Sequence, residues 1–442
     1  MNNVAPVVPF LPWLGGVLAF TCLLFALRSG KRKRLIDNLP TSKTTGVFIG
    51  LVELKGTTES EQPLTSYLAG QPCVLYQWRI EEHWSRTVTE TYTDSDGKTR
   101  TRTRHESGWK TVAEGGERIP FYLQDDCGVI LVRPEGAKLE PTTIFDEGCG
   151  TSDPLYYGKG PPEAVADSDF RRRFSETAIL LHAELYVLGQ ARERQDVVAP
   201  EIAQDNSAPM FLISTRTEEQ ISSGFRWGFW GLAFLGVVLC IAGFVAKDTL
   251  SHVDPARQLG VYLLAALGFL LASVLGWVWM VYNSLIDLRQ RVRQGWSQVE
   301  VQLKRRHDLI PNLVESVKGL RDYEQELQTE LAELRSQSDA TPPGVEGPDY
   351  RACGKILVAV RERYPELTAQ ESFANLQKNL SDTEQRIALA GGYFNQIATY
   401  YNGRLEVVPD RFIAALGRFK PQQLMAANGF ERAPVEVKAF VS

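Results

Sequence analysis

The sequence predicts a multidomain membrane protein in which a mainly β part and an all-α antiparallel helical bundle are carried on three transmembrane helices. Three observations predict it. Hydrophobic residues make up 44% of the 442 residues, but they are unevenly spread, and three uncharged stretches hold much of that content. Between the first two stretches, bulky side chains alternate with polar ones at the two-residue period of a half-buried strand. After the third, leucines and valines recur at steps of three and four, the period of a helix with one apolar face.

Residues 1–27 carry no charged side chain and include the apolar run 10–27; residues 229–246 and 258–286 form two further runs. Each suffices to cross ~30 Å of hydrocarbon as a helix. The expected spans are 7–28, 226–247 and 258–283. The first is not read as a cleaved signal, because its basic cluster follows the apolar run instead of preceding it. Arg28, Lys31, Arg32, Lys33 and Arg34 follow the first span, and Arg289, Arg291 and Arg293 follow the third. The loop 247–257 is balanced in charge. The expected topology is a multi-pass protein of the bacterial inner membrane, with the N-terminus periplasmic and both large parts cytoplasmic.

The β part is expected over residues 40–222. Val74, Tyr76, Trp78, Ile80 and Trp84 alternate with Leu75, Gln77, Arg79 and Glu81. Asp94-Ser95-Asp96-Gly97 offers a hairpin turn between two threonine-rich strands, and Asp125-Asp126-Cys127-Gly128 a second one, between 119–123 and 129–132. Further strands are expected at 183–192 and 210–215. The Gly-, Pro- and Asp-rich stretch 148–169 reads as a surface loop.

The helical part is expected over residues 284–442. Leu285, Leu288, Val292, Trp296, Val299, Leu303, Ile310, Leu313, Val317, Leu320, Leu327, Leu331 and Leu334 form one seam, with a step skipped near Arg306 and another near Glu324. Phe373, Leu376, Leu380, Thr383, Ile387, Ala390, Phe394, Ile397 and Tyr401 keep a strict three-four alternation and form a second. Two such stripes bury one another. Pro311 removes a backbone donor and is expected to kink or loosen the first helix. A Pro/Gly-rich linker over 336–348 and a short helix over 352–363 separate the two.

Several function classes are excluded or unsupported. A net charge of -5 argues against nucleic-acid binding, which needs a concentrated basic surface. The six cysteines and five histidines show no CxxC or Cys/His ligand spacing, so no metal, disulfide framework or cofactor is expected. No Walker loop, HExxH or GxSxG is present, and Glu81-Glu82 and Asp125-Asp126 fall where neighbouring carboxylates point apart. The expectation is a protein that is not an enzyme.

Two resemblances add to this reading. The run Leu303-Lys304-Arg305-Arg306-His307-Asp308-Leu309-Ile310-Pro311-Asn312-Leu313-Val314, with Asn375-Leu376-Gln377, Leu380-Ser381-Asp382-Thr383-Glu384, Tyr393-Phe394-Asn395 and Tyr401-Asn402, resembles the LemA family over about residues 259–442. That resemblance implies a transmembrane helix leading into a cytoplasmic antiparallel bundle, with some relatives tied to membrane remodelling. Leu68-Ala69-Gly70-Gln71-Pro72-Cys73-Val74-Leu75-Tyr76, Glu81-Glu82, Ile119-Pro120-Phe121-Tyr122-Leu123 with Asp125 and Gly128, and Tyr186-Val187-Leu188-Gly189 are similar to the GIDE domain over about residues 40–222. GIDE domains occur in mitochondrial membrane-anchored ubiquitin ligases and in prokaryotic membrane proteins. The ligases act through a RING module after their spans. This sequence has LemA-like helices there and no Cys/His array, so ligase activity is not implied.

The candidate functional residues follow. Leu285, Leu288, Val292, Trp296, Val299, Leu303, Ile310, Leu313 and Val317, with Leu376, Leu380, Ile387, Phe394, Ile397 and Tyr401, are the expected bundle core. Arg305 and Arg306 either pair with Glu384 across it or lie on a solvated face. Arg100, Arg102 and Arg104 alternate with Thr101 and Thr103, a face suited to lipid phosphate or an acidic partner, or else a charged edge that deters pairing. Gly268, Ala272 and Gly276 form a small-residue series that lets membrane helices approach, or reflects only the abundance of glycine in such helices. The function expected first is an inner-membrane scaffold that self-assembles through its helices and organises or remodels the bilayer. Its partners are then a second copy, lipids or another membrane protein, and no nucleic acid. The alternative is a signalling adaptor whose β part binds a protein or small ligand.

Overall fold

A computed structural model of the chain describes residues 8–93, 99–194, 199–206, 208–318, 329, 332–337 and 371–425, with backbone alone at 92–93, 99–100, 255–256, 313–318 and 371–373. It divides into two units, Met1–Pro40 with Glu218–Ser442, and Thr41–Thr217. The first unit is helical: α1 (Leu11–Asp37), α3 (Glu218–Leu250), α4 (Leu259–Lys318), α5 (Glu371–Glu406) and α6 (Asp410–Leu416). The short α2 (Pro154–Gly158) belongs to the second unit.

α1, α3 and the first part of α4 are long and apolar enough to cross a membrane. α1 buries a stripe of Gly15, Ala19, Leu23, Ala26 and Gly30, spaced by three and four, and packs along α3. The two backbones nearly touch at Gly15 and Gly243. A Cβ on Gly15 would lie 2.7 Å from the Leu239 carbonyl oxygen, and one on Gly243 2.7 Å from that of Leu11. Only glycine permits that approach.

α4 runs without a break for 60 residues, about 90 Å at the helical rise. It carries the apolar run at one end and the expected seam at the other. Pro311 lies inside it and does not end it, the helix continuing to Lys318. α5 returns antiparallel along α4, with Gly295 against Phe394 and Ile397 and Arg306 against Glu384. Residues 336 and 337 are helical, and the remainder of the expected linker lies outside the described residues, as do the helix at 352–363 and Leu320, Leu327 and Leu331.

The second unit contains thirteen strands among the described residues: β1 (Thr41–Ser42), β2 (Gly50–Glu59), β3 (Leu64–Thr65), β4 (Pro72–Thr93), β5 (Thr99–Arg118), β6 (Phe121–Gln124), β7 (Val129–Val132), β8 (Lys138–Glu140), β9 (Thr142–Gly150), β10 (Ser168–Leu180), β11 (Glu184–Glu193), β12 (Pro200–Ala203) and β13 (Leu212–Ser214). β2 pairs with both β6 and β11, so β2, β6, β7, β12 and β11 close into a barrel-like ring. A second sheet follows the order β3, β4, β10, β9, with β5 on the other edge of β4. Leu54, Leu75, Phe121, Leu123, Ile179 and Val187 lie at the centre of one shared core.

The expected hairpin between two threonine-rich strands corresponds to β4 and β5, paired up to Thr93 and Thr99; the turn residues Asp94 to Gly97 lie outside the described residues. Past Ser85, whose N–H donates to the Asp167 carbonyl at 2.9 Å, β4 has no partner strand other than β5 among the described residues, so 86–93 and 99–106 form a two-stranded ribbon. The stretch 148–169 departs from the expected surface loop. It contains the end of β9 and all of α2, whose Tyr156 is 1% exposed.

Candidate functional site

The seam between α4 and α5 is built from the apolar stripes. Leu285, Leu288, Val292, Val299, Leu303 and Ile310 are buried on α4, and Leu376, Leu380, Ile387, Phe394, Ile397 and Tyr401 on α5. The side chains of Leu313 and Val317 lie outside the described residues. Trp296 is a correction to the expected core. It is 38% exposed, and Gly295 occupies the inward position, so the indole lies at the rim with its ring 5.2 Å from that of Phe394.

One level of the seam is polar. Gln302, Arg306 and Thr383 are all buried, and Arg306 is 3.5 Å from the Glu384 carboxylate. The step that looks skipped near Arg306 is filled by Arg306 itself. Arg305 is exposed and takes no part. Thr383 donates to the Asn379 carbonyl at 2.7 Å, which satisfies its hydroxyl within α5. A buried polar level in an apolar seam fixes which levels of two helices face each other, because any slip strands a charge.

The seam ends at a polar junction that joins five elements. Arg34, near the end of α1, donates two hydrogen bonds to Asp410 of α6, at 2.8 and 2.9 Å. Arg404 of α5 donates to Asn38 at 2.9 Å and lies 3.9 Å from both Asp37 and Asp410. Ser222 of α3 donates to Asp37 at 2.6 Å, Lys33 pairs with Asp37, and Asn38 donates to Ser284 of α4 at 3.5 Å. The paired Asp410 side chain is 3% exposed. This junction was not legible in the sequence, where Arg34 counts only as one of several cations after a span.

The small-residue series on α4 is divided. A Cβ on Gly276 would meet Leu27 of α1 at 2.6 Å, so Gly276 packs within the chain. Gly268 has open space beside it and Ala272 is exposed.

In the β unit two carboxylates hold backbone in place, Glu176 behind the Leu68-to-Tyr76 motif and Asp125 within its own. Glu176, 0% exposed, accepts from the N–H groups of Tyr67, Leu68 and Ala69 at 2.7, 3.0 and 2.8 Å, which fixes the turn before Gly70. Asp125 accepts from the N–H groups of Thr44, Cys127 and Gly128 and from the Thr44 hydroxyl, at 2.6 to 2.9 Å. Gly189 is required by packing, since a Cβ there would lie 2.7 Å from Ile202 and 2.8 Å from Phe211.

Glu82 and Arg172 form a pair with both side chains fully buried, 3.0 Å apart. Arg172 also donates to the carbonyls of Tyr156, Pro161 and Glu163 and lies 3.9 Å from the Tyr156 ring centre. It thereby binds the 154–163 segment to β10. Burial alone pushes the Glu82 carboxyl up, but hydrogen bonds from Ser168, Tyr156 and Arg172 hold it below the usual carboxylate range. The Tyr156 phenol is pushed up to about 12, by burial first and then by its hydrogen bond to Glu82.

Arg102 and Arg104 are exposed on the ribbon, opposite Glu90 and Val88, and Arg100 lies opposite Tyr92 with its side chain outside the described residues. Arg104 is 3.7 Å from Glu106, which also binds Arg86 at 2.9 Å. The arginine face is therefore partly neutralised from within.

Residues 295–439 match the model of the LemA family, and residues 89–244 match that of GIDE, described as E3 Ubiquitin ligase. No curated protein matches the chain. The LemA match covers the polar level, α5, α6 and Asp410, while the GIDE match starts inside β4 and runs through β13 into α3. This chain therefore joins a GIDE segment to a LemA-family segment in one polypeptide.

Proposed function

We propose that the protein is a non-enzymatic scaffold of the bacterial inner membrane whose α4–α5 helices form a bundle, associate laterally with further copies and organise or remodel the bilayer. The observation that carries this reading is the continuity of α4. One unbroken helix contains both the apolar run and the polar-levelled seam, so a force on one end reaches the other. The junction at Arg34 and Asp410 ties the far end of α5 and α6 back to α1 in the same unit. Three apolar helices and a helical pair joined this way transmit the packing of one copy to the lipid around it.

Surfaces for a second copy are at hand. Gly268 and Ala272 face outward on α4, and Trp296, Val301 and Tyr400, at 38%, 55% and 44% exposed, leave apolar surface on the helices beyond the apolar run. Lipids and another membrane protein are the remaining partners. The ligase chemistry in the GIDE description is not part of the proposal, since the sequence offers no Cys/His array for a zinc module.

Purified full-length protein in detergent tests the reading by its size and symmetry. A large closed ring or dome supports it. Monomers or dimers overturn it in favour of the signalling adaptor, which the long two-stranded ribbon favours, because the outer edge of β5 is open to an added strand among the described residues. Reporters placed after Arg34 and at the C-terminus should both be cytoplasmic, and one in the loop 251–254 periplasmic.

A further inference from the structure

We propose that α6 and the turn before it lie in the interfacial layer of the membrane, with Val407, Val408, Phe412 and Leu416 among lipid acyl chains. The inference rests on the membrane reading above.

Depth comes from packing within the helical unit. Ile413 and Ala414 of α6 pack on Val281 and Leu285 of α4, joined by Trp277, Val278, Leu405 and Phe419. Tyr282 meets Phe419 edge-on, with ring centres 5.7 Å apart. These α4 residues are the last turns of the apolar run, which ends at Ile286. Arg34 sets the same level from the other side, seven residues beyond the apolar run of α1, where it grips Asp410. α6 is therefore fixed at the depth where hydrocarbon gives way to headgroups.

Its outward face has no protein to cover it among the described residues. Phe412 is 68% exposed and Leu416 83%, and Val407 and Val408 are 53% and 62% exposed. Side chains this large and this open, gathered on one short corner, mark an interaction surface. The occupant is identified by what the patch continues. Leu267, Leu271 and Val274 of α4 are 62%, 61% and 55% exposed and lie about two and four turns before Val281 and Leu285 on the same face of the helix, so the lipid that covers them covers α6 next.

The polar residues agree. Arg411, Arg418 and Lys420 are exposed beside the patch, against the exposed Glu406, while Asp410 is withdrawn into the junction. Apolar side chains flanked by lysine and arginine, with Tyr282 and Trp277 packed in the same cluster, are the composition of a segment that lies in a headgroup layer. A second copy of the chain is the competing occupant, and it would have to accommodate the cationic rim.

The test uses full-length protein in vesicles of phosphatidylcholine and phosphatidylglycerol. The photoreactive residue p-benzoylphenylalanine is placed singly at Phe412, Leu416, Leu271 or Val301, and adducts are read by mass spectrometry. Phospholipid adducts are expected at Phe412, Leu416 and Leu271, with none above background at Val301, which lies about 24 Å further along α4 than Leu285. Lipid adducts at Leu271 with none at Phe412 and Leu416, or cross-links from those two positions to a second chain, overturn the inference and leave the membrane reading standing. Absence of lipid adducts at Leu271 as well overturns the membrane reading, and this inference with it.

Discussion

Arg34 reads in the sequence as one of five cations that orient a span, yet its guanidinium is committed to a carboxylate 376 residues away. Removing one partner of such a pair strands the other in a poorly hydrated place. Asp410→Ala should therefore lower stability by about 3 kcal/mol. The double change Arg34→Leu with Asp410→Leu should lose less than the two single changes together, since neither member of the pair is left without the other and Arg404 keeps Asp37 and Asn38. Thermal unfolding in detergent measures both, and an Asp410→Ala protein that melts like the wild type would disprove the junction. Glu82 extends the argument to pH. Its folded pKa is depressed, so the stability it contributes is complete above the ordinary carboxylate value of about 4.3 and is lost as pH falls through the lower folded value. Tyr156 works at the other end. Its pKa is raised, so its contribution is complete below about 10 and is lost as pH climbs towards the folded value. The contribution of Glu82 and Tyr156 to the melting temperature of the β unit should be constant between these limits and fall outside them, with the acid limb shallower in Glu82→Gln. An unchanged acid limb in that variant would assign acid sensitivity to other carboxylates, Glu201 between Arg133 and Arg192 first among them.

At the scale of elements, α5 shows how far a single period carries. Its buried positions from Leu376 to Tyr401 keep the three-four spacing throughout, and even the polar member, Thr383, is 0% exposed. Leu380→Asp places a charge in that stripe and should cost several kcal/mol, well beyond a surface change. Wild-type thermal stability in this variant would break the link between the stripe and the seam. β10 shows the opposite case. Its inward face reads Arg172, Phe174, Glu176, Ala178, all buried, so half of the inward positions are charged and a hydrophobic alternation cannot be seen. Those charges are inside because each has a job that depends on distant chain, Arg172 on the 154–163 segment and Glu176 on the turn at Tyr67. For the same reason the seam was legible and the junction was not. A stripe is written in one helix, whereas Arg34, Ser222, Arg404 and Asp410 become neighbours only after four helices pack. Trp296 fails for a local reason, since glycine beside it takes the inward position and leaves the larger ring at the rim.

For the whole molecule, the division into units indicates which cut separates scaffold from adaptor. A chain beginning at Gln258 keeps α4 and α5, but it discards Arg34, Asp37 and Asn38 and so removes the partners of Arg404 and Asp410. Failure of that truncation to assemble would then have two causes that cannot be separated. Excising Thr41–Thr217 and joining Pro40 to Glu218 through a short Gly/Ser linker keeps every residue of the junction, all three apolar helices and the full seam, because these belong to the other unit. The shortened chain should insert with its C-terminus unchanged in side, since the basic residues after α1 and along α4 remain. It should also assemble as the full chain does, because the apolar and polar levels of α4 and α5 need no strand to pair with. Cross-linking in membranes and particle images after extraction read the outcome. Particles of full-length symmetry would leave the β unit to choose partners, through its ribbon and the exposed Arg102 and Arg104. Folded monomers from the shortened chain, under conditions where the full chain forms large particles, would mean that the β unit drives association, and the scaffold reading centred on α4 and α5 would give way to the adaptor.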